Sequence, residues 1–330
     1  MLAIYPWQQD QWQRLQEMQQ HQRLPHALLL CGPEGIGLKQ FALSVSMQMR
    51  CENKSNAKAC GICQSCQLFL AGNHPDISYI EPEETGKQIK IAQIRELIGY
   101  VSLKSFSGDT KIAIIEPADA MNRATANALL KTLEEPPEQS ILILLSHQPS
   151  RLPITIRSRC QRIDFYPDYE QSTCDWVQQH INEHDISAAL LLRLSQGAPL
   201  KALELMEDEQ LSQRQVLVKD LQQLSQNQAD IVQMAASWQE QGCEIVLKCL
   251  MNLIQDLIRL KLLNDKAILL NVDIKEDLQE LVKTLDLLQM VRNYDFVQLK
   301  YQEFTGPMNY NPLSILEQVL VRWSDPEIVA

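Results

Sequence analysis

The chain has 330 residues, of which 45% are hydrophobic, so it can form two or three domains with their own cores. Its 41 acidic residues outnumber 30 basic ones, and the net charge of −11 argues against a protein that wraps nucleic acid over its whole surface. No apolar run approaches the ~20 residues that a membrane span requires, and the first residues lack a charged segment followed by a signal core. We therefore expect a soluble, cytoplasmic protein with no membrane partner.

A glycine-rich segment follows the first predicted buried strand. The run Ala27–Cys31 is short and wholly apolar, which is typical of a strand buried on both faces of a parallel sheet. Glycines at Gly32, Gly35 and Gly37 then lead into a helix predicted over 39–50. Strand, glycine loop and helix in this order predict the opening of an α/β unit with a parallel sheet.

This segment resembles a phosphate loop but lacks the residues that perform the chemistry. In the pattern G-x-x-x-x-G-K-[ST], the Lys neutralises the outer phosphates and the hydroxyl holds Mg²⁺. Counting from Gly32 to Gly37, the Lys position holds Leu38 and the hydroxyl position holds Lys39. A slipped pairing would let Lys39 reach forward, but Gln40 would remain a poor Mg²⁺ ligand. We predict a loop that is kept for its shape and at which ATP binding is not expected.

Four of the nine cysteines lie close together in the sequence, at Cys51, Cys60, Cys63 and Cys66. In a cytosolic protein such clustering indicates a metal before disulfides, and the C-x8-C-x2-C-x2-C spacing can bring four thiolates to one tetrahedral site. Four thiolates suit Zn²⁺, and with no open coordination position the zinc would be structural. Two alternatives stay open: a set of reduced free thiols, and an iron–sulfur cluster, for which no electron-transfer partner is apparent.

Further apolar runs and amphipathic segments continue the α/β pattern. Strands are predicted at 77–80, 111–115, 141–145 and 162–165, and helices at 7–23, 91–102 and 127–137. The second of these strands is followed by Glu116 and Pro117, where a phosphate-loop enzyme places one acid for the metal and another for the attacking water. Because Pro117 cannot act as a base, the hydrolytic machinery is incomplete here too. His147, after the third strand, is predicted to face the ligand crevice without a catalytic role.

An arginine lies just before the last predicted strand, in the segment Ser158-Arg159-Cys160. Spacing alone favours an arginine that pairs with a surface carboxylate. The segment is also the last of four ordered motifs, which are Leu24-Pro25-His26-Ala27 before the glycine loop, the four-cysteine insert, the segment 127–137, and Ser158-Arg159-Cys160. Together these motifs resemble the AAA+ subunits of bacterial DNA polymerase III sliding-clamp loaders, and within that family the delta-prime branch.

The resemblance implies an α/β fold class with three domains. It predicts an AAA+ phosphate-loop domain at 1–166, with a parallel sheet and a zinc-binding insert at 51–66, then a small helical lid domain at 167–207 and a C-terminal all-α collar domain at 208–330. Amphipathic helices are predicted in the last part at 211–224, 243–263, 277–293 and 312–323. Their wide apolar stripes fit burial against other subunits and fit an ordinary helical core equally well.

Departures from the family pattern distinguish between its members. Motor subunits, gamma and tau, carry an intact Lys-Thr in the loop and an Asp-Glu pair after the next strand, whereas this chain has Leu38-Lys39 and Glu116-Pro117. Leu200 likewise stands where active members carry a basic residue that senses the γ-phosphate. These losses are expected of the delta-prime branch, whose own ATP site is inactive.

For Arg159 the resemblance implies an arginine finger, with Ser158 in the same motif and Arg157 as a weaker candidate. In clamp loaders this arginine reaches across a subunit interface to the γ-phosphate of ATP that a neighbour holds. A guanidinium suits that role because it is permanently charged and its forked donors match phosphate oxygens. The chain would then contribute to catalysis in trans.

The resemblance also implies partners. They are gamma or tau motor subunits and a delta subunit in a hetero-pentamer, with the sliding clamp and primed DNA reached through that assembly in the DNA polymerase III holoenzyme. Two alternatives remain. One is an ATP-hydrolysing subunit of the gamma or tau type, against which Leu38, Gln40 and Pro117 count. The other is a zinc-ribbon nucleic-acid-binding protein. The acidic balance of the chain counts against it, and so does the lack of basic residues in the cysteine insert apart from Lys54 and Lys58.

Overall fold

The structure is a computed structural model. It describes residues 4–53, 58–84, 86–106, 110–181, 187–207, 210–226, 229–306, 308 and 310–324. Two compact units form: the first comprises residues 1–179 with 198–201, and the second comprises 180–197 with 202–330. The predicted lid segment, 167–207, is therefore divided between the two units. The three-domain scheme itself stays a prediction.

The first unit is an α/β domain built on five strands. The strands are β1 (Ala27–Cys31), β2 (Ile77–Ile80), β3 (Lys111–Ile115), β4 (Ser140–Ser146) and β5 (Gln161–Asp164). Its helices are α1 (Gln9–Gln20), α2 (Leu38–Arg50), α3 (Gln64–Leu70), α4 (Ile91–Ser102), α5 (Arg123–Glu134), α6 (Ile154–Arg157) and α7 (Gln171–Gln179). The sheet has the order β2-β3-β4-β1-β5, and every pairing is parallel. The predicted α/β class with a parallel sheet is confirmed.

Strand β1 lies inside the sheet and is buried on both faces. Leu28 and Leu30 pack into the core shared with α1 and α2, whereas Ala27 and Leu29 pack into the core shared with α4 and α5. This alternation follows from the period of two in a strand, and a fully apolar run is needed because neither face meets water. The carboxyl ends of β1, β3 and β4 consequently lie at one edge of the sheet, where the glycine loop begins.

The second unit is helical throughout the part of it that the structure describes. Its helices are α8 (Ala188–Leu194), most of α9 (Pro199–Glu207), α10 (Gln210–Ser225), α11 (Ile231–Glu240), α12 (Cys243–Leu263), α13 (Lys275–Thr284), α14 (Leu287–Phe304) and α15 (Pro312–Ser324). The long α12 is central to this core, to which Leu250, Leu253 and Leu257 contribute together with Trp238 of α11. Among the helices described in both units, none combines the length and the apolar character needed to cross a membrane.

The helix predicted at 277–293 is wrong, because two helices occupy this stretch. Helix α13 ends at Thr284 and α14 begins at Leu287. Between them Asp286 has an extended backbone, and its carboxylate accepts a hydrogen bond from the Gln289 N–H at 2.8 Å. An aspartate in this geometry caps a new helix by satisfying one of its free N–H groups. The apolar spacing continues across the break, which is why periodicity alone joined the two helices.

Candidate functional site

The glycine loop connects β1 to α2 and has the backbone that the sequence predicts. Gly35 has φ +81° and Gly37 has φ +84°, in the left-handed region that side chains disfavour. Gly37 is the residue immediately before α2. The turn therefore requires glycine at these two positions for geometric reasons, whether or not a ligand binds.

Residues near the start of the chain cover one side of this loop. The Trp7 indole donates to the Ile36 carbonyl at 2.9 Å, and the Gln8 amide donates to the carbonyls of Ile36 at 3.0 Å and Gly37 at 2.9 Å. The Tyr5 ring stacks on Trp7 with centroids 4.7 Å apart, and Trp176 contacts both rings edge-on. The loop is thus hydrogen-bonded and packed against its own chain.

A second segment contacts the loop at Gly35. The Leu200 N–H donates to the Gly35 carbonyl at 3.0 Å. A Cβ atom placed on Gly35 would lie 2.6 Å from Cβ of Lys201 and 2.9 Å from its backbone nitrogen. Leu200, which the family resemblance marks as a missing nucleotide contact, therefore has a structural partner in the loop itself.

Replacing Gly35 with alanine is expected to destabilise the first unit by about 2–5 kcal/mol. A left-handed φ costs an alanine about 1–2 kcal/mol, and the collision with Lys201 adds an overpacking cost of about 1–3 kcal/mol. Gly72→Ala is the matched control, because Gly72 also has a positive φ but a Cβ there meets nothing within 4 Å. Urea denaturation of the two variants should differ by the cost of the Lys201 contact. Equal losses of stability in the two variants would show that Lys201 moves aside without a measurable cost in free energy.

The two residues at the lost catalytic positions of the loop have different environments. Leu38 is buried in the same core as Ile36 and Phe41, so the Lys position of the phosphate-loop pattern carries an apolar side chain. The ammonium of Lys39 lies 3.5 Å from Glu81 and 4.0 Å from Glu116. Lys39 is therefore directed at carboxylates, and the slipped arrangement in which it would reach forward to a phosphate is not what is observed.

An aromatic residue completes this acidic cluster. The Lys39 ammonium lies 4.5 Å from the centroid of the Tyr79 ring, a cation–π distance. The Tyr79 hydroxyl donates a hydrogen bond to the Glu116 carboxylate. Burial, together with this contact, raises the pKa of Tyr79 well above its usual value, so the phenol remains protonated. Glu116, which stands where a phosphate-loop enzyme has its metal-orienting acid, thus contacts a tyrosine and a lysine.

The carboxyl end of β4 is braced by Asp119, a residue to which the sequence assigned no role. Its carboxylate accepts from the Ser146 hydroxyl at 2.6 Å and from the His147 N–H at 3.0 Å. The His147 Nδ1 lies 3.1 Å from the carbonyl of Gly32, so this nitrogen carries the proton and donates. His147 is at the crevice edge, as predicted, and ties β4 to the glycine loop. The sequence could have indicated this role, because Asp119 is an acid that follows shortly after β3, the strand that pairs with β4.

The four clustered cysteines converge on one point. The sulfur atoms of Cys51, Cys60, Cys63 and Cys66 all lie within 4.8 Å of one another. Zn–S bonds of about 2.3 Å would place tetrahedral sulfurs about 3.8 Å apart, so the set fits a four-coordinate metal after a small contraction. Helix α3 begins directly after Cys63, and backbone N–H groups point at the sulfurs of the first three cysteines at 3.2–3.4 Å. The residues predicted as ligands are therefore brought together.

The four sulfurs differ in how readily they ionise. Hydrogen bonds from the backbone N–H groups of Ile62 and Cys63 lower the pKa of Cys60 to about 6. Burial instead raises the pKa of Cys51 and of Cys66. Buried thiols that carry no charge of their own ionise when a metal supplies the compensating charge. The donor set and its geometry can thus hold a metal ion with all four positions filled by protein.

A buried ion pair anchors this module to the sheet. Arg50, which precedes the first cysteine of the cluster, lies 3.2 Å from the Asp76 carboxylate at the start of β2, and both side chains are less than 5% exposed. The Asp76 N–H donates to Nδ1 of His74, whose Nε2 contacts the Ser65 hydroxyl of α3 at 3.0 Å. Burial, reinforced by the Arg50 charge, lowers the pKa of His74, which keeps the imidazole neutral.

Replacing Asp76 with asparagine is expected to cost about 3–5 kcal/mol of stability. The amide keeps the size of the side chain but removes the charge that compensates the buried Arg50 guanidinium. Glu83→Gln is the control, since it removes the partner of Lys90 in an exposed pair and should leave the free energy of unfolding nearly unchanged. Urea denaturation followed by tryptophan fluorescence provides both values. Equal, small losses would contradict a structural role for the buried pair.

Arg159 lies at the surface on a well-defined backbone. It follows α6, and its N–H donates to the Ile156 carbonyl at 3.1 Å. The guanidinium contacts the Thr155 carbonyl at 3.0 Å and the Glu134 carboxylate, at the end of α5, at 2.6 Å. Its side chain is 35% exposed. The surface ion pair that spacing alone favours is therefore present in the isolated chain.

The residues on either side of Arg159 fix its position. Ser158 is exposed, and its hydroxyl donates to the Thr155 carbonyl at 3.3 Å. Cys160 is buried in the core that contains α4 and α5, and burial raises its pKa to about 12. A buried residue next to an exposed one holds the backbone while the exposed side chain stays accessible. Ser158-Arg159-Cys160 thus presents one cation at the edge of the first unit.

Comparison with known proteins adds the family to these observations. Residues 7–169 match the family described as "DNA polymerase III, delta subunit", and residues 208–325 match "DNA polymerase III, delta subunit, C terminal". DNA polymerase III subunit delta' of Pseudomonas aeruginosa is 35% identical to this chain over 98% of both proteins. The protein of the same description from Escherichia coli is 33% identical over 66% of this chain and 65% of its own length.

One solved structure matches this chain at low similarity. It is a DNA polymerase III gamma subunit-related protein from Thermotoga maritima, 17% identical, with a TM-score of 0.47 over 94% of this chain and 98% of that one. The sequence relatives carry the assignment. Because the match to the Pseudomonas aeruginosa protein spans 98% of both sequences, this chain belongs to the delta-prime family of DNA polymerase III subunits.

Proposed function

We propose that the chain is a non-hydrolysing delta-prime subunit of the DNA polymerase III clamp loader. In this proposal Arg159 is an arginine finger that acts on the ATP of a neighbouring motor subunit while the sliding clamp is loaded during DNA replication. The observation that carries it is the placement of Arg159, a cation held at the surface between α6 and the buried Cys160. A forked, permanently charged donor at such a position suits the γ-phosphate of a nucleotide that another chain holds.

The loop of this subunit is proposed to be silent. Leu38 at the Lys position cannot neutralise a phosphate, and Lys39 at the hydroxyl position cannot ligate Mg²⁺. Pro117 supplies no base for an attacking water. The contacts of Gln8 and Leu200 with the loop carbonyls support the same conclusion, because they give the loop partners within its own chain. Gly32, Gly35 and Gly37 then remain as fold elements.

The four-cysteine cluster is proposed to hold a structural zinc ion. Cys51, Cys60, Cys63 and Cys66 would supply all four ligands, and the ion would cross-link the end of α2 to α3. When bound, zinc supplies the positive charge that balances the thiolates and holds the insert in shape. The Arg50–Asp76 pair then transmits this order to the sheet.

The proposed partners follow from membership of a clamp loader. Motor subunits of the gamma or tau type and a delta subunit complete a hetero-pentamer in the cytoplasm, which contacts the sliding clamp and primed DNA. The segment 167–207 is proposed as the lid and 208–330 as the collar that joins the subunits. Exposed apolar side chains of the second unit, among them Leu262, Leu263 and Leu299, are compatible with such a collar.

Reconstitution tests the proposal. The chain is mixed with motor and delta subunits, the assembly is isolated by size-exclusion chromatography, and ATP turnover is measured with clamp and primed DNA. A defined assembly whose turnover depends on Arg159, together with no ATP binding by the isolated chain, is the expected outcome. ATP hydrolysis by the isolated chain would instead support a gamma-type subunit. Salt-dependent binding of the isolated chain to primed DNA would support the zinc-ribbon alternative.

A further inference from the structure

We infer that Glu134 is a positioning residue that holds Arg159 against its own subunit until a phosphate on the neighbouring chain displaces it. The inference rests on the proposed arginine-finger function and adds a second residue to it. Glu134 is the last residue of α5, and its carboxylate lies 2.6 Å from a terminal guanidinium nitrogen of Arg159. Nothing in the pattern of the sequence assigns Glu134 a role.

The contacts of the guanidinium divide into neutral and charged ones. One terminal nitrogen donates to the Thr155 carbonyl at 3.0 Å and lies 3.5 Å from the Ser158 hydroxyl. The other terminal nitrogen faces Glu134. A charged acceptor binds a guanidinium more strongly than a neutral one. Glu134 is therefore the contact that sets where the charged end of Arg159 rests.

Glu134 also benefits from this pairing, because of its position at the carboxyl end of α5. The carboxyl end of a helix carries partial negative charge, so an acid in the last turn of α5 is electrostatically disfavoured there. The Arg159 cation offsets that cost. An acid at this end of the helix is expected where a cation must be kept close, and its neighbour Glu135 has an exposed side chain.

The exposure of the pair makes it reversible. The side chains of Arg159 and Glu134 are 35% and 49% exposed. An ion pair this accessible to water changes an equilibrium constant by no more than about five-fold. A nucleotide phosphate carries more negative charge and three acceptor oxygens, so it can displace a single carboxylate. The pair is thus strong enough to orient the finger and too weak to hold it against a phosphate.

The test compares Glu134→Gln with Glu135→Gln in the reconstituted loader. The glutamine at position 134 keeps the size of the side chain but removes the competing charge. We expect the apparent KM for ATP to fall about two- to five-fold with kcat nearly unchanged, because the ion pair with Glu134 is already broken when ATP is bound, so its cost is the same in the ground state and in the transition state. The Glu135 variant removes the same charge one residue away and should leave KM unchanged.

Two further measurements separate this inference from the proposed function. In the isolated chain, ¹⁵N relaxation of the Arg159 side chain should show greater mobility in Glu134→Gln than in Glu135→Gln. In an Arg159→Ala background, Glu134→Gln should have no effect on KM. Glu134→Gln behaving like Glu135→Gln, with turnover still dependent on Arg159, would overturn the inference alone. Full turnover in Arg159→Ala would overturn both the inference and the finger.

Discussion

Replacing Arg159 with alanine is expected to slow ATP hydrolysis at the motor site that this chain completes by about 10³-fold or more, with the assembly intact. An arginine finger stabilises charge that develops on the transferring phosphoryl group, and that contribution is lost with the guanidinium. The backbone should not change, because Cys160 stays buried and the Ile156 carbonyl bond to position 159 does not involve the side chain. Steady-state turnover with clamp and primed DNA, and single-turnover rates at that site, measure the effect.

Two variants make the result specific. Arg159→Lys keeps the charge but loses the planar fork, so it should recover little of the rate. Arg157→Ala removes the arginine that directly precedes the motif and should stay close to the native rate. Circular dichroism and chromatography confirm that each variant folds and assembles. A full, DNA-stimulated rate for Arg159→Ala would exclude the finger, and a larger loss for Arg157→Ala would move the role to that residue.

Replacing Cys66 with serine is expected to abolish metal binding and to destabilise the first unit by about 4 kcal/mol, because loss of a metal is one of the changes that cause unusually large losses of stability. Cys66 is buried, so the serine hydroxyl leaves three thiolates around an incomplete site. For a domain of this size the melting temperature should fall by about 8–16 °C. Elemental analysis of the purified protein and thermal unfolding measure the two effects.

Cys174→Ser is the control for cysteine removal as such, because Cys174 is half-buried and lies outside the cluster. It should keep its metal and its melting temperature. About one zinc per native chain is expected. Iron with labile sulfide would instead indicate an iron–sulfur cluster. A native protein that contains no metal and is as stable as its Cys66→Ser variant would indicate four free thiols.

Strands β1 and β3 were predictable because a strand that is buried on both faces needs a mostly apolar sequence. Strands β1 and β3 have every residue buried; β1 is an uninterrupted apolar run, and β3 is a run of four apolar residues that follows Lys111. Helices α4 and α12 were equally clear from their apolar spacing. Helix α3 was not predicted, because its seven residues form only about two turns and a segment this short does not show a clear helical period. Local patterns therefore determine elements wherever a face must be wholly buried.

The site was predictable only where its residues are close in the sequence. The four cysteines converge as their spacing indicates. In contrast, Trp7 and Gln8 reach the loop across 28 or 29 residues, and Leu200 comes from much farther away. The partner of Arg159 was foreseen as some surface carboxylate but not as Glu134. Such pairings depend on the tertiary arrangement of β1, α5 and α6, which single-sequence patterns do not encode.

Lys39 provides a positive charge beside Glu81 and Glu116 that does not depend on a bound metal ion. A Mg²⁺ ion that balanced these carboxylates would exchange with the solvent and leave when a chelator is added. The Lys39 ammonium is covalently tethered at 3.5–4.0 Å from them and cannot diffuse away. The positive charge that faces Glu81 and Glu116 is therefore present at any magnesium concentration.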